Sequence, residues 1–390
     1  MGVPPRAYPR PVGRVLVVTG TVVFLDAMLF GAIIPLLPAF ADTYDLTKLE
    51  AGALLGAYGA GALVGGIPGG LLVGRIGPKR GLLLGLGALA LASLAFALAG
   101  GPVALGASRF VQGLSSATTW AAALAWVAMS TPRERRGQAL GTVFGVAVLG
   151  FVVGPMFGGV ADVVGIRGSF VGVAVVAGAL ALALVPLEPA PPEEGRPGAI
   201  ARALHDRAFV GGLWLNTLPA LFFGVLDVLV PLLLDDAGYG ALAIAAVFVT
   251  AGLVEVAVNP LVGRLSDRRG RLLPVRVSLA ASIVVASAIA FATEPLLVAM
   301  LVVAASVSFG GFYTPGMALV ADRSDRAGLP QGIGFGVTNS AWAAGALAGP
   351  VIGGALAQAF GDPVPYLICA VLCALTLVAA SRGVARLRPA

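Results

Sequence analysis

The sequence predicts an all-α membrane protein with twelve transmembrane helices in two pseudo-symmetric six-helix bundles. Composition is the first observation behind this. Of 390 residues, 58% are hydrophobic and 11% charged, with a mean hydropathy of +0.96. Soluble domains run at roughly 45–50% and about 25%. Too little polar surface remains to coat a water-soluble globule. Second, the chain divides into apolar runs of about the 17–25 residues that cross ~30 Å of hydrocarbon. The apolar–polar alternation of a membrane β-barrel is absent. Third, motifs in the first half recur in the second at a nearly constant offset.

The expected spans are 13–40, 49–73, 80–99, 102–129, 138–161, 168–187, 209–234, 241–262, 274–293, 295–320, 332–359 and 364–381. Span 1 starts after basic residues and ends in "IIPLLPAF"; Ala39-Phe40-Ala41 superficially suits signal cleavage. Its apolar run is too long for a signal peptide and carries Asp26, so it is expected to stay as the first helix. Several later spans are separated by only a few residues, which makes them antiparallel hairpins. The stretch "EPAPPEEGRPGAIARALHDR" (188–207) is the one long charged and Pro-rich segment, and it divides the spans six and six. The expected organisation is therefore a six-helix half at 1–187, a linker at 188–207 and a second half at 208–390.

Orientation follows from the positive-inside rule. Arg6, Arg10 and Arg14 lie before or at the start of span 1, and the groups at 75–80, 133–136, 196–207, 264–276, 323–326 and 382–388 all fall on the same side. Together they hold 22 of the 25 Lys and Arg residues. Only Lys48 and Arg167 lie opposite, and Arg109 lies inside a span. Both termini are expected in the cytoplasm of a cell-membrane protein. The high pI of about 9.8 then needs no nucleic acid. Cys369 and Cys373 are four apart in span 12 and read as small apolar fillers, with no disulfide and no metal. His205, the single histidine, is expected to be solvated in the linker.

Internal repetition is specific. "GFVVGPMFGG" (150–159) and "GALAGPVIGG" (345–354) both read G-x-x-x-G-P-x-x-G-G, 195 apart. "GGLLVGRIGPKR" (69–80) pairs with "VGRLSDRRGR" (262–271) at 193, and "IPLLP" (34–38) with "VPLLL" (230–234) at 196. Parallel six-helix repeats with a site near the midplane are a transporter architecture. No G-x-x-x-x-G-K-[ST] loop appears, which argues against ATP drive.

With these motifs, the whole chain resembles the major facilitator superfamily. The span-5 motif and "SRFVQG" (108–113) resemble its drug:proton antiporter branch. Span 1, with "LDA" followed by Pro35 and Pro38, resembles tetracycline exporters and vesicular monoamine transporters. The resemblance implies gating loops at Gly70, Arg75 and Gly77, and at Gly263, Asp267, Arg268, Gly270 and Arg271. It also implies an antiporter motif at Gly150, Gly154, Pro155, Gly158 and Gly159 that limits proton leak. The first loop departs from the pattern, with Gly74 where Asp is expected and Pro78 where a basic residue is common. A weaker latch on that side, favouring inward-facing states, is the expectation.

Four ionisable residues lie well inside spans: Asp26, Arg109, Asp227 and Glu255. Together they cost on the order of 10 kcal/mol on insertion scales, so they are expected to face a cavity or one another. Asn216, Ala220, Phe223 and Asp227 share one face of span 7. Phe248, Gly252, Glu255 and Asn259 share a face of span 8, and Arg109, Gln112, Ser116 and Trp120 a face of span 4. Stripes mixing polar groups and aromatics suit an amphipathic solute. Asp26 is the leading site for a proton and a cationic substrate. Asp227, four residues before Pro231, is expected to be the second. Glu255, nearer the loop, has snorkelling as its alternative. Arg109, Gln112, Asn216, Phe223 and Asn339 complete the candidate set; Arg109 paired to a carboxylate as a structural lock is the competing reading. Aromatics Phe30, Trp120, Phe223, Tyr313 and Trp342 are candidate cavity walls.

The expected function is a proton-coupled antiporter exporting small amphipathic, cationic compounds by alternating access. It would be a monomer in the bilayer, driven by a proton gradient without a cofactor. A carrier of sugars or organic anions, by export or proton symport, is the alternative, with Arg109 facing the anion. An intramembrane enzyme would need a nucleophile–base pair or metal cluster that the sequence does not offer.

Overall fold

The computed structural model describes residues 10–132, 135–190, 198–270, 272–327, 329 and 331–385. Arg6, Arg133, Arg196, Arg271, Arg386 and Arg388 lie outside the described residues, as do the side chains of Asp267 and Arg268. Among the described residues every regular element is helical.

The first half contains α1 (Arg10–Gly31), α2 (Leu37–Tyr44), α3 (Lys48–Ile76), α4 (Pro78–Ala97), α5 (Pro102–Ser130), α6 (Arg136–Val164) and α7 (Ile166–Leu184). The short α8 (Ala199–His205) lies between the halves in sequence, and His205 is exposed on it. The second half contains α9 (Arg207–Asp236), α10 (Ala241–Arg269), α11 (Leu272–Phe291), α12 (Pro295–Ala327), α13 (Gln331–Phe360) and α14 (Pro363–Ala385). The arginine-rich side is the inner side here, and the opposite side the outer.

One element differs from the single run expected of it. Span 1 is interrupted: α1 stops at Gly31, a 3-10 turn covers Ile34–Leu36, and α2 follows. Pro35 and Pro38 each lack an N–H, so the α-helical ladder cannot continue through them. Eleven helices among the described residues are long and apolar enough to span on their own. The twelfth, α5, is as long but carries a buried polar face of Ser108, Arg109, Gln112, Ser115, Ser116 and Thr119. Its bundle neighbours, rather than lipid, surround that face.

The duplicated motif packs the same way in both halves. A Cβ on Gly150 or Gly154 of α6 would stand 2.5 Å from the carbonyl oxygens of Phe24 and Met28, and one on Gly158 would collide with that of Ala32. In α13, Gly345, Gly349 and Gly353 meet Thr217, Leu221 and Val225 of α9. The fourth glycine reaches across the molecule in each case: Gly159 to Ala241 and Ala245 of α10, Gly354 to Lys48 of α3. Small residues thus let backbones approach within each bundle and between bundles. Pro155 sits inside α6 and packs on Gly31; Pro350 occupies the equivalent place in α13.

The loop motifs also match in backbone. Gly77 joins α3 to α4 at φ 86°, ψ 156°, and Gly270 joins α10 to α11 at φ 82°, ψ 157°. That combination belongs almost only to glycine. Gly70 is buried in α3 and Arg75 is exposed in its last turn, while no atom lies within 4 Å of a Cβ placed on Gly263. Beside Gly77, Lys79 donates to the carbonyls of Val185 (2.7 Å) and Leu187 (2.6 Å), tying the first loop to the end of α7.

The halves meet along α3 and α13 for most of their length, from Gly354 against Lys48 to Gly336 against Gly66. At the outer end Lys48 forms an ion pair with Asp362, and Leu49 N–H donates to Gln358. The pair joins the start of α3 to the turn before α14.

Candidate functional site

Asp26 sits on α1 one turn before Phe30, with no exposed surface. Its Oδ2 accepts from Ser116 Oγ at 2.6 Å and from Trp120 Nε1 at 2.9 Å, both on α5. Tyr58 of α3 lies 3.5 Å from the same oxygen and 2.6 Å from Ser116 Oγ. A phenol has one proton, so the shorter bond sets a directed chain: Tyr58 donates to Ser116, and Ser116 to Asp26. The second oxygen, Oδ1, is buried and has no hydrogen-bond partner among the described residues. An enclosed carboxylate oxygen without a donor is costly in low dielectric, and Asp26 is the one acidic residue of α1.

Arg109 does not pair with Asp26. Its Nη1 donates to Leu29 O (3.0 Å) and Gln112 Oε1 (2.7 Å), and its Nη2 to Phe30 O (3.4 Å). These carbonyls belong to the last turn of α1, where the break at Gly31 frees them from helical partners. The guanidinium also lies 5.0 Å from the centre of the Tyr58 ring. Arg109 therefore caps α1 and orients Tyr58 through a cation–π contact. The carboxylate pairing weighed for Arg109 is not seen among the described residues; its partners are a helix end and Gln112.

Aromatic rings bridge the halves on each side of Asp26. On the outer side, Phe30 packs on Tyr58 (5.0 Å between centroids), on Phe151 of α6 (5.7 Å) and on Trp342 of α13 (5.2 Å). On the inner side, Trp120 packs on Phe144 of α6 (5.8 Å), and Phe144 on Phe335 of α13 (5.8 Å). Phe144 and Phe151 are two helical turns apart, as are Phe335 and Trp342, about 10 Å along each axis. One donor to Asp26, Trp120, belongs to the inner layer. The head of the Tyr58–Ser116 chain belongs to the outer one.

The remaining candidates separate from this centre. Asp227 is 8% exposed on α9, and its carboxylate has no partner among the described residues. Asn216 donates to Thr338 O of α13 at 3.1 Å and leaves Oδ1 unpartnered. Asn339 shares the α13 face of Phe335 and Trp342 by helical spacing, and its Nδ2 is buried without a partner. Gln112 likewise keeps Nε2 unpartnered. Phe223 packs edge-on to Phe309 within the aromatic core of the second bundle. Glu255 lies across Gly310 of α12, where a Cβ would stand 2.5 Å from its Oε1; it belongs to the α10–α12 contact.

Sequence reasoning missed Tyr58, Phe144 and Phe335. Tyr58 left a trace: it is the one aromatic residue of α3, set between Gly56 and Gly59. The two phenylalanines left none, since an apolar residue in an apolar helix has no pattern to break.

Two six-helix bundles around enclosed polar residues, within a multi-pass membrane protein, define the class of a membrane carrier. The sequence profile described as Major Facilitator Superfamily matches residues 19–334 and 224–389. The chain belongs to the Major Facilitator Superfamily, and is a transporter of that type. It is similar to multidrug resistance protein 2 of Bacillus subtilis (strain 168), 26% identical over 350 residues, with 86% of each chain covered. It is 31% identical over 164 residues to the vesicular acetylcholine transporter of Drosophila melanogaster, covering 41% of this chain and 27% of that one. Among solved structures, a bacterial homologue of the human lysosomal transporter Spinster aligns with TM-score 0.77 at 16% identity, over 100% of both chains.

Proposed function

We propose that the protein is a proton-coupled antiporter that exports small amphipathic cations, with Asp26 as the group that a proton and the cation occupy in turn. The observation that carries this is the environment of Asp26. It is wholly enclosed, its Oδ2 is held by neutral donors, and Oδ1 is unpartnered. No described cation is within ion-pair distance to neutralise it permanently. Charge balance in low dielectric is then met by one proton or one monocation, and not by both. Exchange follows when the halves rock so that Asp26 is exposed to each side alternately. Parting of Phe335 from Phe144 would open the inner path, and parting of Trp342 from Phe30 and Tyr58 the outer. Asp227 and Asn339 are proposed as further contacts for the cation, and the glycine face of α6 as the seal along α1.

The similarity to a protein named for multidrug resistance supports export of amphipathic compounds. The alternative carrier of organic anions needs a free Arg109, and both terminal nitrogens of that side chain are bonded to α1 carbonyls or Gln112. The test is uptake of a lipophilic fluorescent cation into inverted membrane vesicles under a pH gradient. Wild type should accumulate it and collapse with an uncoupler, and Asp26→Asn should not accumulate it. Gradient-driven accumulation by Asp26→Asn at the wild-type rate would sink the proposal.

A further inference from the structure

The start of α1 and the end of α7, with the residues just after it, line a groove of about 590 Å³ formed by Gly13, Arg14, Val17, Val18, Ala183, Pro186 and Leu187. It lies where the first span begins, a position that falls at the boundary between hydrocarbon and headgroups. Two features give it polarity. Arg14, exposed one turn into α1, forms part of its wall. Lys79 holds the opposite wall by donating to the carbonyls of Val185 and Leu187. An ammonium has three donors, so one N–H of Lys79 remains beyond those two bonds. Arg80, exposed in the first turn of α4, adds positive charge, while Glu188 beside Leu187 is the nearby carboxylate in sequence. Below the basic rim the lining is apolar, with Val17 68% exposed. No atom lies within 4 Å of a Cβ placed on Gly13, so the groove is open at its mouth.

We infer that this groove binds one anionic glycerophospholipid of the inner leaflet, with its phosphate at Arg14 and Lys79 and an acyl chain along Val17, Val18 and Ala183. Charge complementarity selects this occupant. A lipid phosphate next to Lys and Arg at the membrane surface gains about 1 kcal/mol per cation, or about fivefold in affinity. The chain's own residues 1–9 carry Arg6 as their one charged side chain, a cation, and would be repelled from a basic rim. An exported amphipathic cation would be repelled in the same way.

Native mass spectrometry of the full chain, titrated with phosphatidylglycerol or phosphatidylcholine, tests this. Wild type should retain one phosphatidylglycerol in preference to phosphatidylcholine. Arg14→Gln should weaken that preference about fivefold, the worth of one surface cation. Val17→Trp should remove retention with Arg14 intact, because it fills the groove. Equal retention by Arg14→Gln and wild type would overturn the inference. So would retention that appears only after deletion of residues 2–9, which would make the chain's own N-terminal segment the occupant.

Discussion

The indole of Trp120 donates to Asp26 at 2.9 Å while its ring packs on Phe144 at 5.8 Å, so a single side chain joins the buried carboxylate to the inner contact between halves. Tyr58 stands in the corresponding place on the outer side: it heads the chain to Asp26 through Ser116, and its ring lies 6.4 Å from Trp342. Anything that changes the charge or occupancy of Asp26 changes what these two donors bind. In the proposed rocking motion, each belongs to a layer that would part for one side to open. On that proposal, binding and gating would be linked through these contacts.

The two layers should gate different sides. In a background lacking Cys369 and Cys373, Ser116→Cys labelling by an impermeant thiol reagent reports access to the centre. Trp342→Ala should raise labelling from the outer side, and Phe335→Ala from the inner side. An increase of about two- to tenfold is expected, the population shift that 0.5–1.5 kcal/mol per aromatic pair permits. Equal effects of both variants on one side would refute the layering.

Gly158→Ala should destabilise the fold, because the added methyl collides with the carbonyl of Ala32. Overpacking of this kind costs about 1–3 kcal/mol. Gly141→Ala, with nothing within 4 Å, should be neutral or gain up to ~1 kcal/mol of helix propensity. Thermal denaturation in detergent compares them. A lower Tm for Gly141→Ala than for Gly158→Ala would reverse the assignment of the packed face.

The outer clasp of Lys48 and Asp362 should bias the resting state modestly. Its side chains are 39% and 40% exposed, and exposed pairs contribute about 0.2–1 kcal/mol. Lys48→Ala should therefore shift the population towards outward-open states by no more than about fivefold, less at high salt. Spin-label distances across the outer ends read this directly. The charge swap Lys48→Asp with Asp362→Lys should restore the wild-type distribution.

At the inner end of α9, Asp206 caps the helix. Ala208 N–H donates to its Oδ1 at 2.8 Å and Phe209 N–H at 3.4 Å, while Arg323 lies 3.2 Å from Oδ2. These bonds, the one from Ala208 foremost, hold its carboxyl below the usual carboxylate range. A depressed pKa stabilises the folded state above the unfolded value of about 3.9 and is lost as pH falls through the folded one. The stability gap between wild type and Asp206→Ala should thus be constant from neutrality down to about pH 5 and close below about pH 4. A gap that widens on acidification would contradict the capping role.

Much of the fold was legible because lipid imposes a strong rule: each span must be long, apolar and helical. The glycine motifs were equally plain, and both copies pack as their repetition implies. What the sequence hid follows from geometry between distant segments. The break after Gly31 was signalled by Pro35 and Pro38, but its consequence, carbonyls that recruit Arg109, depends on where α5 passes α1. Asp26 stood out as a charge in an apolar run. Tyr58 and Phe335 did not, since nothing in their own helices marks the contact each makes with another helix. Glu255, a partly buried charge whose spacing on its helix matches that of the other polar stripes, lies against Gly310 of α12, a contact its own helix does not mark.

The central claim is that Asp26 holds either a proton or the cation. Proton release on adding a lipophilic cation to purified, weakly buffered protein measures that exchange at the site itself. The expected result is stoichiometric release from wild type and none from an equally folded Asp26→Asn variant. Equal release from both, or cation binding by wild type with no proton released, would contradict the account.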